Sequence, residues 1–165
     1  MPPTVLMSKL PNYPKEELPS YAHAGDSGMD LYAAVSEPVV VSVQPKLIPT
    51  GIKMSIPTGY EGQVRPRSGL ALREGLIVVN SPGTIDSQFR GEVGVILACL
   101  GRQSADGTLI AGTFTVHRGD RIAQLVICPV VTPEVLHVQE AELTDTARGA
   151  GGFGSTGVSD APARR

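Results

Sequence analysis

The stretch that decides the fold is LIPTGIKMSIP, residues 47 to 57. Its apolar side chains Ile52, Met54 and Ile56 alternate with polar ones, and this period of two is typical of a strand with one buried face. Gly and Pro break the pattern and recur throughout, with 19 Gly and 14 Pro in 165 residues. Between the breaks lie further short apolar runs, among them LIVVN, EVGVILACL, TFTVHRGD and RIAQLVICPVV. Many short strands separated by turn signals predict an all-β barrel or sandwich.

Two segments depart from this succession of strands. SGLALREG (68–75) predicts one helix of about two turns, with Ser68 as its N-cap and Gly75 as the residue that ends it. GRQSADGTLIAG (101–112) predicts a longer hairpin with the dipeptide DG at its tip. The sequence therefore predicts a β-rich chain with a single short helix.

Length and composition fit one domain, residues 1–165. The formal net charge is −2, so the chain lacks the basic footprint of a protein that binds long nucleic acid. No apolar run is long enough to span a bilayer, and residues 1–28 lack the regions of a secretory signal. Cys99 and Cys128 lie inside apolar runs, which favours free thiols in a reducing compartment. These features predict a cytoplasmic protein with no membrane partner.

An acidic residue stands out in SPGTIDSQFRGE, residues 81 to 92. A turn leads into a run that resembles a strand, with Asp86 early in that run and Ile85 and Phe89 beside it on the apolar side. A solvated turn acid is one interpretation of Asp86. A positioned general base, which would deprotonate a bound water, is the other.

Two further segments suit an anion. RPRSGLA (65–71) offers Arg67, Ser68 and the N–H groups at a helix start. In RGAGGFGSTG (148–157) the glycines allow successive N–H groups to turn toward one anion, and Arg148 supplies a guanidinium fork. The alternative for this last segment is a disordered tail.

Five segments, in this order, resemble the five motifs of the trimeric dUTP pyrophosphatase (dUTPase) family. They are AGDSGMDLYAA (24–34), RPRSGLA (65–71), NSPGTIDSQFRG (80–91), GDRIAQL (119–125) and RGAGGFGSTG (148–157). The resemblance implies a jelly-roll-like (β-clip) subunit with one short helix, a core at 22–143 and a flexible Gly-rich C-terminal arm at 144–165. It also implies a homotrimer whose three active sites are shared between subunits.

The resemblance implies hydrolysis of dUTP to dUMP and pyrophosphate with Mg²⁺, which limits uracil in DNA and supplies dUMP for dTMP synthesis. Asp86 matches the family's catalytic aspartate, which activates the attacking water. Ser68 matches the residue that hydrogen-bonds near the α,β-bridging oxygen. The residues that match phosphate contacts are Arg67, Ser68, Gly69, Gln124, Arg148, Ser155 and Thr156. From the sequence alone, Gln124 could equally be a satisfied core amide.

The remaining matches concern the nucleoside and the metal. The positions that match uracil and deoxyribose contacts are Asn80, Gly83, Thr84, Ile85, Asp86, Phe89, Phe153 and Gly154. Phe153 matches the aromatic ring that stacks over uracil. Phe89 stands where the family usually has Tyr, and we expect rejection of UTP to be largely preserved by shape. Asp30 matches an outer-shell anchor that holds Mg²⁺ through water, so no metal is expected to bind tightly without nucleotide.

Three alternatives compete with this interpretation. The related dCTP deaminases share the fold, but they need a Glu as proton shuttle, and the segment around Asp86 has none before Glu92. A non-catalytic nucleotide-binding module would not need a water-activating acid. A purely structural β-trimer would leave the Gly-rich arm unexplained.

Overall fold

The computed structural model describes residues 3–104, 106–110 and 112–152. The chain forms two units, and the boundary falls between Thr132 and Pro133. Within the described residues there are twelve strands, one α-helix and one 3-10 helix. The strands are β1 (Leu6–Lys9), β2 (Gly28–Tyr32), β3 (Val39–Val41), β4 (Lys46–Ser55), β5 (Tyr60–Arg65), β6 (Leu76–Val78), β7 (Gly83–Ile85), β8 (Glu92–Cys99), β9 (Arg102–Gln103), β10 (Leu109–Ile110), β11 (Phe114–Val116) and β12 (Arg121–Pro129). The α-helix, α1, is Ser68–Glu74, and the 3-10 helix is Glu140–Glu142.

Antiparallel pairing organises the first unit into two four-stranded sheets. Their strand orders are β1-β4-β8-β6 and β2-β12-β5-β7. Two smaller ladders pair β11 with β3 and β10 with β9. The prediction of an all-β subunit with one short helix is confirmed. None of the helices in the described ranges has the length and apolar character needed to cross a bilayer.

The core contains the apolar side chains that the alternation at residues 52–56 predicts to be buried. Ile52, Met54 and Ile56 are all at most 3% exposed, whereas Lys53 between them is exposed. They join the buried side chains of β8 and β12 in one apolar cluster. Burial of each large apolar side chain contributes about 1.5–3 kcal/mol. The packed faces of the sheets therefore stabilise the fold and hold the loops at the strand ends in place.

The limits of α1 correct one prediction and confirm another. Ser68 is the first helical residue rather than the N-cap, and the N-cap is Arg67, in an extended conformation after Pro66. Arg67 is held there by its own side chain, whose Nη1 donates a hydrogen bond to the Arg121 carbonyl. Gly75 ends the helix as predicted, with φ at 65° and its N–H bonded to the Ala71 carbonyl.

The predicted hairpin at 101–112 is present, with β9 and β10 paired antiparallel. At its tip, the Ser104 hydroxyl donates to the Asp106 carboxylate, and the Thr108 N–H donates to the same oxygen at 3.0 Å. These hydrogen bonds, that from Ser104 first, lower the pKa of Asp106 from 3.8 to about 2. They favour the ionised carboxylate in the folded hairpin.

We expect the Asp106 carboxyl to titrate near the lowered pKa, because the folded hairpin binds its charged form. The stabilisation is therefore complete above the ordinary pKa of 3.8 and is lost as the pH falls toward about 2. Replacing Ser104 by Ala should raise the pKa toward the ordinary value. An NMR titration of the side-chain carboxyl checks this, and titration of the wild-type group near 3.8 would contradict it.

Candidate active site

A polar cleft of about 250 Å³ lies where α1 begins beside β2 and β12. We call it the basic cleft; it is lined by Asp30, Arg67, Ser68, Gly69, Leu70, Arg73 and Gln124. The antiparallel register explains how distant segments meet there. Gln124 on β12 pairs with Asp30 on one side and with Arg65, the last residue of β5, on the other. Only Pro66 and Arg67 then separate β5 from the helix.

Asp30 holds two arginines together at this cleft. Its Oδ1 lies 3.0 Å from Nε of Arg67, and its Oδ2 lies 3.5 Å from Nε of Arg121. Nη1 of Arg67 also donates to the Arg121 carbonyl at 3.0 Å. Arg67 is thus fixed in direction by a partly buried carboxylate. Arg121 was not predicted as part of the site, because its contact with Asp30 depends on a strand register that the sequence does not specify.

Gln124 lines the basic cleft and is tied to the segment before α1 by a hydrogen bond. Its Nε2 donates to the Pro66 carbonyl at 2.9 Å. A Cβ at Gly28 would lie only 2.4 Å from Oε1 of Gln124, so a side chain at that position would displace the amide. The amide nitrogen has a hydrogen-bond partner, and the partly exposed side chain also lines the cleft.

The first turn of α1 faces the basic cleft without neutralising groups of its own. It contains no acidic residue, and no side chain caps its N–H groups. Ser68 is exposed, and its hydroxyl is not hydrogen-bonded to any of the described residues. Both the hydroxyl and the backbone N–H groups are therefore available to an anion.

A second cleft, of about 140 Å³, surrounds the predicted catalytic acid. We call it the hairpin cleft; its lining residues are Thr84, Ile85, Asp86, Phe89, Glu92, Val93 and Gly94. Asp86 comes directly after β7 rather than early in a strand, which corrects the sequence expectation. The strand ends there because the Asp86 carbonyl turns to accept the Phe89 N–H at 3.0 Å. The Asp86 side chain is exposed.

The apolar neighbours of Asp86 behave differently from each other. Ile85 is buried, as predicted, but Phe89 is 42% exposed, so it does not belong to the core of this chain. Its ring lies over Gly91, where a Cβ would come within 2.5 Å of Cζ. The exposed ring is available to form a wall of the cleft.

Asn80 and Gly83 lie together at the base of the same hairpin. A Cβ at Gly83 would be 3.1 Å from Nδ2 of Asn80, so the absence of a side chain makes room for the amide. Thr84, on the opposite face of β7 from the buried Gly83 and Ile85, is exposed. Asn80 was predicted to read uracil together with the backbone of this hairpin.

The predicted site residues do not meet in one pocket of the described chain. The basic cleft and the hairpin cleft share no lining residue. Arg148 belongs to the second unit, where its Nε donates to the Gly151 carbonyl at 2.7 Å. The predicted contacts Phe153, Gly154, Ser155 and Thr156 lie outside the described residues.

Known proteins resemble this chain over nearly its whole length. The family model described as dUTPase matches residues 15–157. The deoxyuridine 5'-triphosphate nucleotidohydrolase of Rhizobium leguminosarum bv. trifolii is 50% identical over 159 residues, covering 94% of this chain and 95% of that protein. The protein of the same name from Brucella melitensis is 46% identical over 159 residues, with 94% of each covered.

Solved structures agree with these relatives. A variant dUTPase of Staphylococcus bacteriophage 80alpha, bound to dUpNHpp, superposes with a TM-score of 0.74 at 31% identity. The alignment covers 94% of this chain and 99% of that one. A variant dUTPase from phage phi11 of S. aureus, with a coordinated structural Mg(II) ion, has a TM-score of 0.69 at 30% identity, covering 85% and 99%. The chain belongs to the dUTPase family.

Proposed function

We propose that this chain hydrolyses dUTP to dUMP and pyrophosphate. The observation that carries the proposal is a division of chemistry between two clefts. The basic cleft presents Arg67, Ser68 and an uncapped helix start, which suit the phosphates. The hairpin cleft presents an exposed carboxylate beside an aromatic ring, which suits a water and a nucleoside. The relatives named as nucleotidohydrolases of deoxyuridine triphosphate support this substrate.

The reaction requires a water in line with the bond from the α-phosphorus to the α,β-bridging oxygen. In our proposal the water oxygen bonds to the α-phosphorus while Asp86 takes its proton. The bond to the bridging oxygen breaks, and its electron pair leaves with pyrophosphate. The exposed Asp86 carboxylate has no ion-pair partner among the described residues and is free to accept this proton.

The basic cleft stabilises the charge that develops on the departing group. Arg67, aimed by Asp30 and the Arg121 carbonyl, would bind a phosphate oxygen, and the Ser68 hydroxyl would donate near the bridging oxygen. A donor whose hydrogen bond strengthens as charge develops lowers the barrier rather than only tightening binding. Gln124 and the N–H of Gly69 would complete the lining around the phosphates.

Magnesium fits this site as a companion of the substrate. The described residues contain no group of three or more His, Cys, Asp or Glu side chains that could hold a metal ion. Both Asp30 oxygens face guanidinium groups, so this carboxylate suits contact with a metal-bound water better than direct ligation. Mg²⁺ commonly keeps several waters and is held largely by substrate phosphates. When bound, it would neutralise phosphate charge and polarise the phosphoryl oxygens.

A homotrimer with shared active sites accounts for the separation of the two clefts. If the basic cleft of one subunit faces the hairpin cleft of the next, the phosphates and the attacking water meet at the interface. The resemblance to the family implies that the arm of the third subunit, with Arg148 and Phe153, closes over a site formed by the other two. Closed cyclic symmetry makes three such sites equivalent.

The biological setting follows from the reaction. Hydrolysis of dUTP would limit the uracil that reaches DNA and would supply dUMP for dTMP synthesis. Both cysteines are free thiols, Cys99 buried and Cys128 partly so. Free thiols are typical of reducing compartments, which supports a cytoplasmic location.

Release of pyrophosphate and of ammonia from four nucleotides tests the proposal. We expect pyrophosphate from dUTP with Mg²⁺, with much lower rates for dTTP, dCTP and UTP, and no ammonia from dCTP. Release of ammonia from dCTP would instead indicate a deaminase. Tight binding of dUTP without hydrolysis would indicate a nucleotide-binding module.

We expect UTP to be rejected by shape, although Phe89 lacks the hydroxyl of the family's usual Tyr. The exposed Phe89 ring can pack against the deoxyribose and leave no room for a 2′-hydroxyl. The Phe89→Tyr variant should therefore keep the same preference for dUTP over UTP. Measured kcat/KM for the two nucleotides checks this. A UTP efficiency within about tenfold of dUTP in the wild type would contradict it, since tenfold is only 1.4 kcal/mol of discrimination.

A further inference from the structure

Arg73 occupies the basic cleft from an unexpected direction. It lies in the last turn of α1, yet its guanidinium rests beside Gly69 in the first turn. Side chains four residues apart share a helix face and lean toward the N-terminus. A Cβ at Gly69 would lie 3.0 Å from Nη2 and 3.2 Å from Nη1 of Arg73. The missing side chain of Gly69 therefore provides the space for this guanidinium.

The charge of Arg73 has no counterpart in the described part of the chain. Asp30 is the one carboxylate that lines the basic cleft, and its oxygens face Arg67 and Arg121. No ion pair or hydrogen bond joins Arg73 to another described residue. A guanidinium has five N–H donors, and Arg73 lines a cleft that already holds Arg67. The cleft therefore has an excess of positive charge.

We infer that Arg73 is a further phosphate-binding residue, and that it holds the pyrophosphate part of the nucleotide. The inference rests on the proposed function for the identity of that nucleotide. The β- and γ-phosphates carry most of the charge of a nucleoside triphosphate, and they gain charge as the bond to the α-phosphorus breaks. The planar guanidinium can bind two phosphate oxygens at once. Arg73 thus binds both the substrate and the departing pyrophosphate, and it makes no contact with the dUMP that remains.

Calorimetric titration of inorganic pyrophosphate and of dUMP into the full-length protein tests the inference. The variants are Arg73→Gln, Arg73→Lys and Lys46→Gln, the last removing an exposed positive charge at the start of β4. We expect Arg73→Gln to weaken pyrophosphate binding by about tenfold, the loss typical of one charged hydrogen bond, and to leave dUMP binding unchanged. Arg73→Lys should restore part of the affinity, and Lys46→Gln should resemble the wild type. Competitive inhibition of dUTP hydrolysis by pyrophosphate should weaken in parallel.

The possible failures are distinguishable. If Arg73→Gln binds pyrophosphate as the wild type does, or loses dUMP affinity equally, the inference is overturned while dUTP hydrolysis by the wild type still supports the proposed function. If the wild type does not hydrolyse dUTP, the proposed function fails, and the pyrophosphate titration still decides the role of Arg73. Absence of pyrophosphate binding by the wild type would overturn the inference as well.

Discussion

Replacing Asp86 by Asn is expected to lower kcat for dUTP by about 10² to 10⁴, the usual contribution of a general base. The amide keeps the shape of the carboxylate but cannot take the proton of the attacking water. Because Asp86 is exposed and follows the end of β7, the substitution should leave the fold and KM nearly unchanged. Steady-state release of pyrophosphate gives both constants.

A matched control removes the same charge elsewhere. Asp106→Asn alters an exposed carboxylate at the tip of the β9–β10 hairpin and should retain wild-type kcat. Thermal unfolding of both variants would exclude a loss of fold as the cause. An Asp86→Asn variant as active as the wild type would remove Asp86 from the chemistry and return it to the alternative of a solvated turn acid.

Mixed trimers are expected to recover activity from two inactive variants. The substitution Asp86→Asn disables the hairpin cleft, and Arg67→Gln disables the basic cleft. The two clefts share no lining residue, so each substitution leaves the other cleft intact. In a cyclic trimer containing both variants, one interface joins an intact hairpin cleft to an intact basic cleft. Trimers that contain both variants should therefore recover one of their three sites, or about a third of the wild-type sites.

The mixing experiment uses co-expressed chains with two different tags, so that doubly purified protein contains both variants. The measured quantity is kcat per subunit, compared with each variant expressed alone. Activity no greater than that of the separate variants would contradict a site built between subunits, because a site contained in one chain gains nothing from its neighbours. A protein that sediments at the mass of one chain would count against it independently.

The β-rich fold could be predicted because its signal is local. Period-two alternation at Ile52, Met54 and Ile56 requires no knowledge of pairing, and turn residues separate the strands. The first residue of α1 was harder to predict from the sequence. Ser68 looks like an N-cap from the sequence, but Arg67 takes that position because its side chain is tied to Asp30 and to the Arg121 carbonyl. Such long-range contacts outweigh local capping preferences.

The site residues that lie in sequence motifs could be predicted. The contacts that depend on which strands pair, and in which register, could not. Arg67, Ser68, Asp30 and Gln124 do line one cleft, but the contact between Asp30 and Arg121 requires the pairing of β2 with β12. The position of Arg73 could have been predicted, because it follows Gly69 at a spacing of four residues within a predicted helix. That spacing places the two on one helix face.

The fate of the oxygen from water tests the central claim most directly. Hydrolysis of dUTP in H₂¹⁸O by the wild type, with Mg²⁺, leaves the label wherever water attacked. Attack at the α-phosphorus, activated by Asp86, predicts that mass spectrometry finds the heavy oxygen in dUMP and none in pyrophosphate. Label in pyrophosphate, or products other than dUMP and pyrophosphate, would contradict the account.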